Sequence, residues 1–243
     1  MKKFFLTFFL FFLVFLHFTN VVMGQLQLQD SGKYNKARKL MVIQNENTER
    51  YLKPSALIVP TSFLLYGCLK PAIKGIQSFD DNIKAQVLST YPNFKTNADD
   101  YLMWVPSAAL YTLKAFNVPT KHNLKEQLII EAGSIIITGG VGLVMRKISG
   151  NMEVYNKQGT KFPSGHTANA FRAAEIFHQE LKDTNKVLSY AGYIVAAGVG
   201  TFRILNKNHL FTEVIAGAGL GILSTKLTYW IFEKVKYSKV KHI

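Results

Sequence analysis

Six apolar segments of helical length follow one another along the chain, and they constrain its fold more than any other feature of the sequence. Each runs for 14 to 20 residues without the sustained alternation of apolar and polar positions that a half-buried strand requires. We therefore predict an all-α fold, a helical bundle of about six core helices. The segments, named A to F in order, are Ala56–Leu69, Tyr101–Phe116, Leu128–Met145, Thr167–Leu181, Val187–Leu205 and Glu213–Phe232.

The two ends of the chain differ in character from these segments. Residues 1–24 place Lys2 and Lys3 before the apolar run Phe4–Leu16, a pattern typical of a secretory signal peptide, or alternatively of an uncleaved N-terminal anchor. The expected domains are a signal peptide over 1–24, a polar arm over 25–51, a helical domain over 52–233 and a basic tail over 234–243.

The 243-residue chain carries a formal net charge of +14, which limits its partners. Its lysines are dispersed and it has no zinc-finger or RNA-binding signature, so we predict no nucleic-acid partner. Anionic lipids or phosphorylated substrates suit this charge better. The single cysteine, Cys68, excludes an intrachain disulfide and a cysteine-cluster metal site.

The polar stretch between segments C and D ends in Phe-Pro-Ser-Gly-His-Thr at 162–167. Ser164 is a candidate helix N-cap, and Gly165 lets the backbone approach a ligand closely. Because the N–H groups of a first helical turn favour an anion, we expect His166 to stand beside a bound anion. A capped helix start with a surface histidine is the alternative interpretation.

A second motif joins segments E and F: Arg203, then His209 after five intervening residues, then Glu213 four residues further. At that spacing the Glu213 carboxylate reaches the His209 imidazole, where it would fix the tautomer and raise the basicity of the ring. Arg203 has the planar fork that binds phosphate oxygens. A surface ion pair is the alternative for His209 and Glu213, and two ligands without a third make a poor metal site.

Together the two motifs, in this order and about 40 residues apart, resemble the type 2 phosphatidic acid phosphatase family, which is related to vanadium haloperoxidases and bacterial class A acid phosphatases. The resemblance covers roughly residues 50–233. It implies hydrolysis of phosphomonoesters through a phosphohistidine, with no metal and no other cofactor.

The resemblance also implies a role for each motif residue. His209 would be the nucleophile, Glu213 would orient it, and His166 would protonate the leaving oxygen. The residues that would bind the phosphoryl oxygens are Lys147, Ser164, Gly165 and Arg203.

Two departures from the family pattern lie in the second motif. Glu213 stands where the family has Asp, and Phe202 stands where the family has Ser before the arginine. The longer glutamate side chain still reaches an imidazole, so we expect a modest effect.

The first family motif, Lys-x6-Arg-Pro, is degraded. Lys147 fits its lysine, but Val154 and Tyr155 then replace the Arg and the Pro. Placing Arg146 at the lysine position instead puts Glu153 at the Arg position, which is a worse match. One phosphate-binding arginine is therefore missing.

The incomplete motif leaves three functional hypotheses open. The first is a phosphatase acting on a lipid-linked or small phosphomonoester or pyrophosphate. Such an enzyme would be weakened by about 10²–10³ in rate unless Lys157 or Lys161 supplies the lost charge. The second is an inactive relative that binds a phosphorylated lipid or serves as an envelope scaffold. The third is a vanadium haloperoxidase, which the short loops disfavour.

The order of the motifs bears on localisation. They lie after C, before D, after E and before F, so they share one face if these segments alternate in direction. If the signal peptide is cleaved, six spans from A to F would place the site in the cytoplasm. Five spans, with A not crossing, would place the site outside and the Lys234–Lys241 tail inside, as the positive-inside tendency favours. We expect an exported, membrane-associated protein of the cell envelope whose site faces the periplasm, with a wholly periplasmic bundle as the alternative.

Weaker signals receive structural interpretations. Asp99 and Asp100 are interpreted as an acid pair at a helix start, and His122 and His178 as surface or core histidines. Substrate specificity is expected from residues 70–100 and from the 146–161 loop.

Overall fold

The computed structural model of the protein describes residues 51–156 and 161–240, and every regular element within these ranges is a helix. The prediction of an all-α fold is confirmed. The signal peptide, nearly all of the polar arm and the end of the basic tail lie outside the described residues. The helices in chain order are α1 (Pro54–Cys68), α2 (Lys74–Thr90), α3 (Ala98–Leu102), α4 (Val105–Ala115), α5 (Leu124–Ser149), α6 (Glu153–Asn156), α7 (Gly165–Leu181), α8 (Lys186–Ser189), α9 (Ala191–Leu205) and α10 (Phe211–Val240).

Local sequence signals explain where several helices begin. Asn123 and Glu126 form a reciprocal capping box that starts α5 four residues before segment C. Pro106 lies in the first turn of α4, where its missing N–H is harmless, and it divides segment B into α3 and α4. The mixed stretch after segment A contains α2, a 17-residue helix that the apolar runs alone did not define.

Helices α5 and α7 run antiparallel. At one end, the hydroxyl of Ser149 donates to the carbonyl of Phe162 at 3.2 Å. At the other end, His122 Nδ1 lies 2.7 Å from the carboxylate of Glu180. The end of α5 therefore meets the start of α7.

Helix α10 runs parallel to α7. The Ser164 N–H donates to the Glu213 carbonyl at 3.0 Å where both helices begin, and the Tyr229 hydroxyl donates to Glu180 at 2.7 Å where α7 ends. Helix α9 reaches the same starting end, because Gly200 lies against Val214. The ends of α5 and α9 thus meet the starts of α7 and α10, as the alternation of segments C to F predicted.

Small residues in α10 allow its close packing against α7 and α1. A Cβ atom added to Gly217 would lie 2.6 Å from the Ser164 carbonyl oxygen, and one added to Gly221 would lie 2.8 Å from the Arg172 amide nitrogen. Gly219 faces the backbone of α1 in the same way. These glycines therefore allow the backbones of the neighbouring helices to approach α10 closely.

Within the described residues, three stretches are long and apolar enough to cross a membrane: Leu124–Ser149, Lys186–Leu205 and Phe211–Lys236. Ile136 and Leu143 on α5 are 71% and 67% exposed, which suits a helix that faces lipid. Helix α7, by contrast, buries Arg172 and Glu175, so it lies inside the bundle. These features indicate association with a membrane.

Candidate active site

His209 and Glu213 form a buried pair where α9 gives way to α10. The Nδ1–H of His209 donates to Oε2 of Glu213 at 2.7 Å, and the same oxygen accepts from the N–H of Leu210 at 3.2 Å. Glu213 is fully buried and His209 is 9% exposed. The carboxylate thereby fixes the tautomer. It leaves the lone pair on Nε2, which forms no hydrogen bond with the described residues.

The start of α10 is held by Asp80 of α2. The Thr212 N–H donates to Asp80 Oδ1 at 3.0 Å, and Lys70 Nζ lies 3.0 Å from Oδ2 in a buried ion pair. A carboxylate at a helix start is favourable because it accepts from N–H groups that have no acceptor within the helix. Asp80 therefore fixes the helix turn that carries Glu213.

The Phe-Pro-Ser-Gly-His-Thr motif forms the turn into α7, with Ser164 at the N-cap position. The predicted capping bond from the Ser164 side chain is not formed, because that hydroxyl contacts the Thr167 hydroxyl at 2.9 Å instead. The Ser164 N–H donates to the Glu213 carbonyl, so the turn is tied to the histidine pair. The N–H groups of Gly165 and His166 open the helix and have no acceptor within it.

Arg146, rather than Lys147, reaches this turn. A Cβ atom added to Gly165 would collide with Nη2 of Arg146, so the guanidinium lies directly against the Gly165 backbone. Its Nε is buried and has no hydrogen-bond partner among the described residues. Lys147, the neighbour that fitted the family lysine better by spacing, has an exposed side chain.

Arg203 approaches the same end of the bundle from α9. Its Nη1 donates to Oδ2 of Asp99 at 2.7 Å, and Asn206 Nδ2 donates to the other oxygen of that carboxylate at 3.2 Å. Asp99 is buried, so this ion pair holds the guanidinium in place. The Nε of Arg203 is buried and unpaired among the described side chains.

His166 has an acidic partner as well. Its Nε2 donates to Oδ1 of Asp100 at 2.8 Å, and both side chains are partly exposed. Asp99 and Asp100 do lie in the first turn of α3, as predicted for a helix-start pair, but their contacts with Arg203 and His166 were not predicted. The partners are 66 and 104 residues away in the chain, so no local spacing could reveal them.

The degraded first motif has an apolar environment. Val154 packs with Met145 and Leu64 against the buried pair of Phe162 and Ala216. The side chain at this position therefore lies in an apolar cluster, away from a charge-binding role. The Lys161 side chain is exposed, and Lys157 lies outside the described residues.

One group of side chains in the described part of the chain has ligand atoms close enough to bind a metal ion. Asp99, Asp100 and His166 bring one such atom each to within 4.8 Å of one another. Each carboxylate there already faces a cationic or proton-donating group, Arg203 or His166. We therefore interpret the acids as partners of those two residues.

Comparisons with known proteins agree with this assembly. The family model for the PAP2 superfamily matches residues 120–237. The Lipid A 1-phosphatase of Porphyromonas gingivalis is 31% identical over 157 residues, which cover 64% of this chain and 35% of that relative. The chain thus spans about a third of the length of this curated relative.

A solved structure also matches, the first transmembrane PAP2 type phosphatidylglycerolphosphate phosphatase from Bacillus subtilis. The match covers 73% of this chain and 97% of the other, at 21% identity and a TM-score of 0.38. The matched family model includes both motifs, the 162–167 turn and the Arg203–Glu213 segment, which the fold brings to one end of the bundle. The chain belongs to the PAP2 superfamily.

Proposed function

We propose that this protein is a membrane-associated phosphatase that hydrolyses a lipid-linked phosphomonoester or pyrophosphate through a phosphohistidine at His209. One observation carries the proposal. His209 and Glu213 form a buried pair, and the Glu213 carbonyl accepts from the Ser164 N–H of the 162–167 turn. Arg146 lies against the same turn. A nucleophile, its orienting carboxylate and a cation beside open N–H groups are the parts that phosphoryl transfer needs.

In the proposed reaction, the Nε2 lone pair of His209 attacks phosphorus and the bond from phosphorus to the leaving oxygen breaks. His166 gives its proton to that oxygen. Water then attacks the phosphohistidine and returns a proton to His166, and the P–N bond breaks to release phosphate. Glu213 remains ionised throughout and stabilises the positive charge on the His209 ring.

Two arginines are available for the phosphoryl oxygens. Arg146 and Arg203 each have a buried Nε–H without a partner among the described residues, so each has a donor to offer. Burying an unpaired donor costs about 1–3 kcal/mol, so a phosphoryl oxygen that accepts from it gains that much in binding. Arg146 thus takes the place in this proposal that spacing had given to Lys147.

A lipid substrate is proposed from the position of the site and from the relative. The site lies where three membrane-compatible stretches end or begin, so a lipid phosphate would reach it from the membrane surface. The matched relative from Porphyromonas gingivalis is a Lipid A 1-phosphatase. Export, a periplasm-facing site and metal-independence belong to the same proposal.

An inactive relative that binds a phosphorylated lipid is the second candidate. The apolar packing of Val154 favours it, because the cation that the family places in the first motif is not there. Substituting Val154→Arg would force a charge into the cluster around Phe162, so it is a poor test of rescue.

The test is phosphate release by the full chain in detergent, from a panel of lipid phosphates and small phosphomonoesters, with EDTA present. We expect release that vanadate inhibits and EDTA does not. His209→Ala should abolish it, and Arg146→Ala should lower kcat/KM by about 10²–10³. His178→Ala, at the opposite end of α7, is the matched histidine control.

The two candidates differ in their outcome. Release that survives His209→Ala would contradict the phosphohistidine, and loss with EDTA would contradict metal-independence. No release from any phosphoester, together with saturable binding of a lipid phosphate, would favour the inactive relative.

A further inference from the structure

A polar cavity of about 340 Å³ lies between the loop that joins α2 to α3 and the turn that joins α9 to α10. This size falls in the range of about 300–1,000 Å³ typical of small-molecule sites. We call it the asparagine pocket, after the amide side chains that dominate its wall. Its amide and lysine side chains are Asn93, Lys95, Asn97, Asn206, Lys207 and Asn208.

The two walls of the pocket are fixed to each other. Asn206 bonds the backbone of Thr96 in both directions: its Oδ1 accepts from the N–H at 2.9 Å, and its Nδ2 donates to the carbonyl at 2.8 Å. Lys207 Nζ donates to the carbonyl of Pro92 at 2.6 Å. Phe94 stacks on Phe202 with ring centroids 6.1 Å apart. The pocket is therefore built before any ligand binds, which lowers the entropic cost of binding.

The remaining polar side chains are available to a ligand. Asn93, Lys95, Asn97 and Asn208 have exposed side chains that form no hydrogen bond or ion pair with the described residues. An amide offers two donors and an acceptor, which suits hydroxyl and amide groups. None of the described lining residues is acidic, so nothing in the pocket favours an ammonium headgroup.

The pocket adjoins the proposed reaction centre on both walls. The turn 206–208 connects Arg203 to His209, and the N–H groups of Asn208 and His209 both donate to the Arg203 carbonyl, at 3.1 and 3.2 Å. On the other wall, Asn97 precedes the helix whose Asp99 holds Arg203. Lys207 lines both this pocket and the pocket that His209 lines, so a group bound among the asparagines lies next to the place where His209 and Arg203 would bind the phosphoryl group.

We propose that the asparagine pocket is the leaving-group subsite and that it selects a phosphate attached to a hydroxylated sugar over one attached to an acylglycerol. This inference rests on the proposed phosphatase function. The amides of Asn97 and Asn208 bind sugar hydroxyl or acylamino groups, and Lys95 binds an anionic substituent of the sugar.

The test compares two substrates of the full chain in detergent. One is an acylated glucosamine 1-phosphate, and the other is phosphatidic acid with the same acyl chains. The native chain should prefer the sugar phosphate in kcat/KM. Asn97→Ala combined with Asn208→Ala should lower that preference about tenfold, through KM for the sugar substrate, because two hydrogen bonds to the ligand are lost. Asn82→Ala and Lys125→Ala, which change exposed side chains outside the pocket, are the matched controls.

If the double variant keeps the native preference for the sugar phosphate, the proposed role of the pocket is wrong, while the proposed phosphatase function stands. If the native chain turns over neither lipid, phosphate release from the wider panel decides the phosphatase proposal, and binding decides the pocket. In a His209→Ala chain, isothermal titration should give a Kd for the sugar phosphate that rises about tenfold with the double substitution. An unchanged Kd, or tighter binding of phosphatidic acid, would overturn the inference.

Discussion

The side chain of Glu213 is one methylene group longer than the family's aspartate, and this length lets its carboxylate make two contacts. Its carboxylate spans from α10 back to His209 at 2.7 Å while it also accepts from the Leu210 N–H at 3.2 Å. The main chain of Glu213 separately accepts from Ser164. The side chain therefore orients the histidine, and the backbone ties in the second motif.

Shortening or neutralising this side chain should reduce turnover without unfolding the chain. Glu213→Gln keeps an oxygen for the Leu210 N–H but removes the charge that stabilises the His209 ring, so we expect kcat to fall by about 10²–10³ with little change in KM. Glu213→Asp retracts the carboxylate by about 1.5 Å and should cost less than Gln. Steady-state kinetics and thermal unfolding in detergent measure both effects. An unchanged kcat for Glu213→Gln would remove Glu213 from the mechanism.

Gly165 allows Arg146 to lie against the start of α7. We expect Gly165→Ala to displace the guanidinium and to lower kcat/KM at least tenfold, because a misplaced phosphate-binding group loses transition-state contacts. The end of the arginine side chain can move, so the chain should still fold. Gly198→Ala is the matched control: it adds its methyl group in open space on α9 and favours the helix by about 0.5–1 kcal/mol. Equal activity in the two variants would contradict the contact.

At this scale the sequence predicted residues within one motif and missed contacts between distant segments. The pairing of His209 with Glu213 follows from a four-residue spacing, so it could be predicted. Whether Arg146 or Lys147 faces the 162–167 turn depends on how α5 is rotated about its axis. The spacing of the motif does not determine that rotation. Asp99 contacts Arg203 only because α3 packs beside α9.

At the scale of elements, a second polar cluster fixes the opposite end of the bundle. His122, just before α5, contacts Glu180 at the end of α7 at 2.7 Å and Glu233 of α10 at 3.3 Å. The Tyr229 hydroxyl also donates to Glu180, and Lys121 pairs with Glu233. Three helices are thereby joined by buried charges, away from the phosphatase motifs. His122, interpreted from the sequence as a surface or core histidine, is buried, and its two acidic partners come from helices far along the chain.

The titration of this cluster gives a pH dependence with a defined sign. Burial by itself lowers the pKa of His122, but hydrogen bonds to Glu180 and Glu233 outweigh it and raise the pKa above the ordinary 6.5. Burial would raise the pKa of Glu180, yet the bonds from His122, Gln127 and Tyr229 bring it to about 2 from 4.5. The His122 contribution is therefore complete below pH 6.5 and disappears as the pH rises through the raised pKa. The Glu180 contribution is complete above pH 4.5 and disappears toward pH 2.

We expect His122→Gln to destabilise the chain by about 3 kcal/mol near pH 5.5, because two buried carboxylates lose a cation. The difference from the native chain should shrink as the pH rises above 6.5. Thermal unfolding in detergent between pH 5 and 9 measures this. His178→Gln is the control, since burial lowers the pKa of His178 and its ring contacts the Ser189 hydroxyl rather than a carboxylate. A penalty for His122→Gln that stays constant across this range would show that the ring acts only by packing.

Helix boundaries could likewise be predicted where neighbouring residues set them, but not where contacts with distant segments do. Segment D matches α7 within two residues at its start, because the Pro-Ser-Gly turn and the polar residues after Leu181 are local signals. Helix α2 has mixed composition, so it is not among the six apolar segments of the sequence. In the fold, Asp80 of this helix binds Lys70 and the start of α10, and these contacts hold the helix in place.

For the whole molecule, the helix directions place the candidate site and the His122 cluster at opposite ends of the membrane-compatible stretches. The basic residues that begin at Lys234 form the last turns of α10 and continue past it, and they lie on the His122 side because Glu233 contacts His122. The positive-inside tendency therefore favours the proposed orientation, in which that end faces the cytoplasm and the site faces the periplasm.

Cysteine accessibility tests that orientation in the full chain. In a Cys68→Ser background, Asn82→Cys adds an exposed thiol to α2 near the site end, since Asp80 of the same helix binds the start of α10. Lys125→Cys adds an exposed thiol at the His122 end. We expect a membrane-impermeant maleimide to label Asn82→Cys in cells with an intact cytoplasmic membrane and to label Lys125→Cys only after lysis. The reverse pattern would place the site in the cytoplasm, where it would act on lipid phosphates of the inner leaflet. Labelling of both thiols before lysis would mean that the bundle does not separate two compartments.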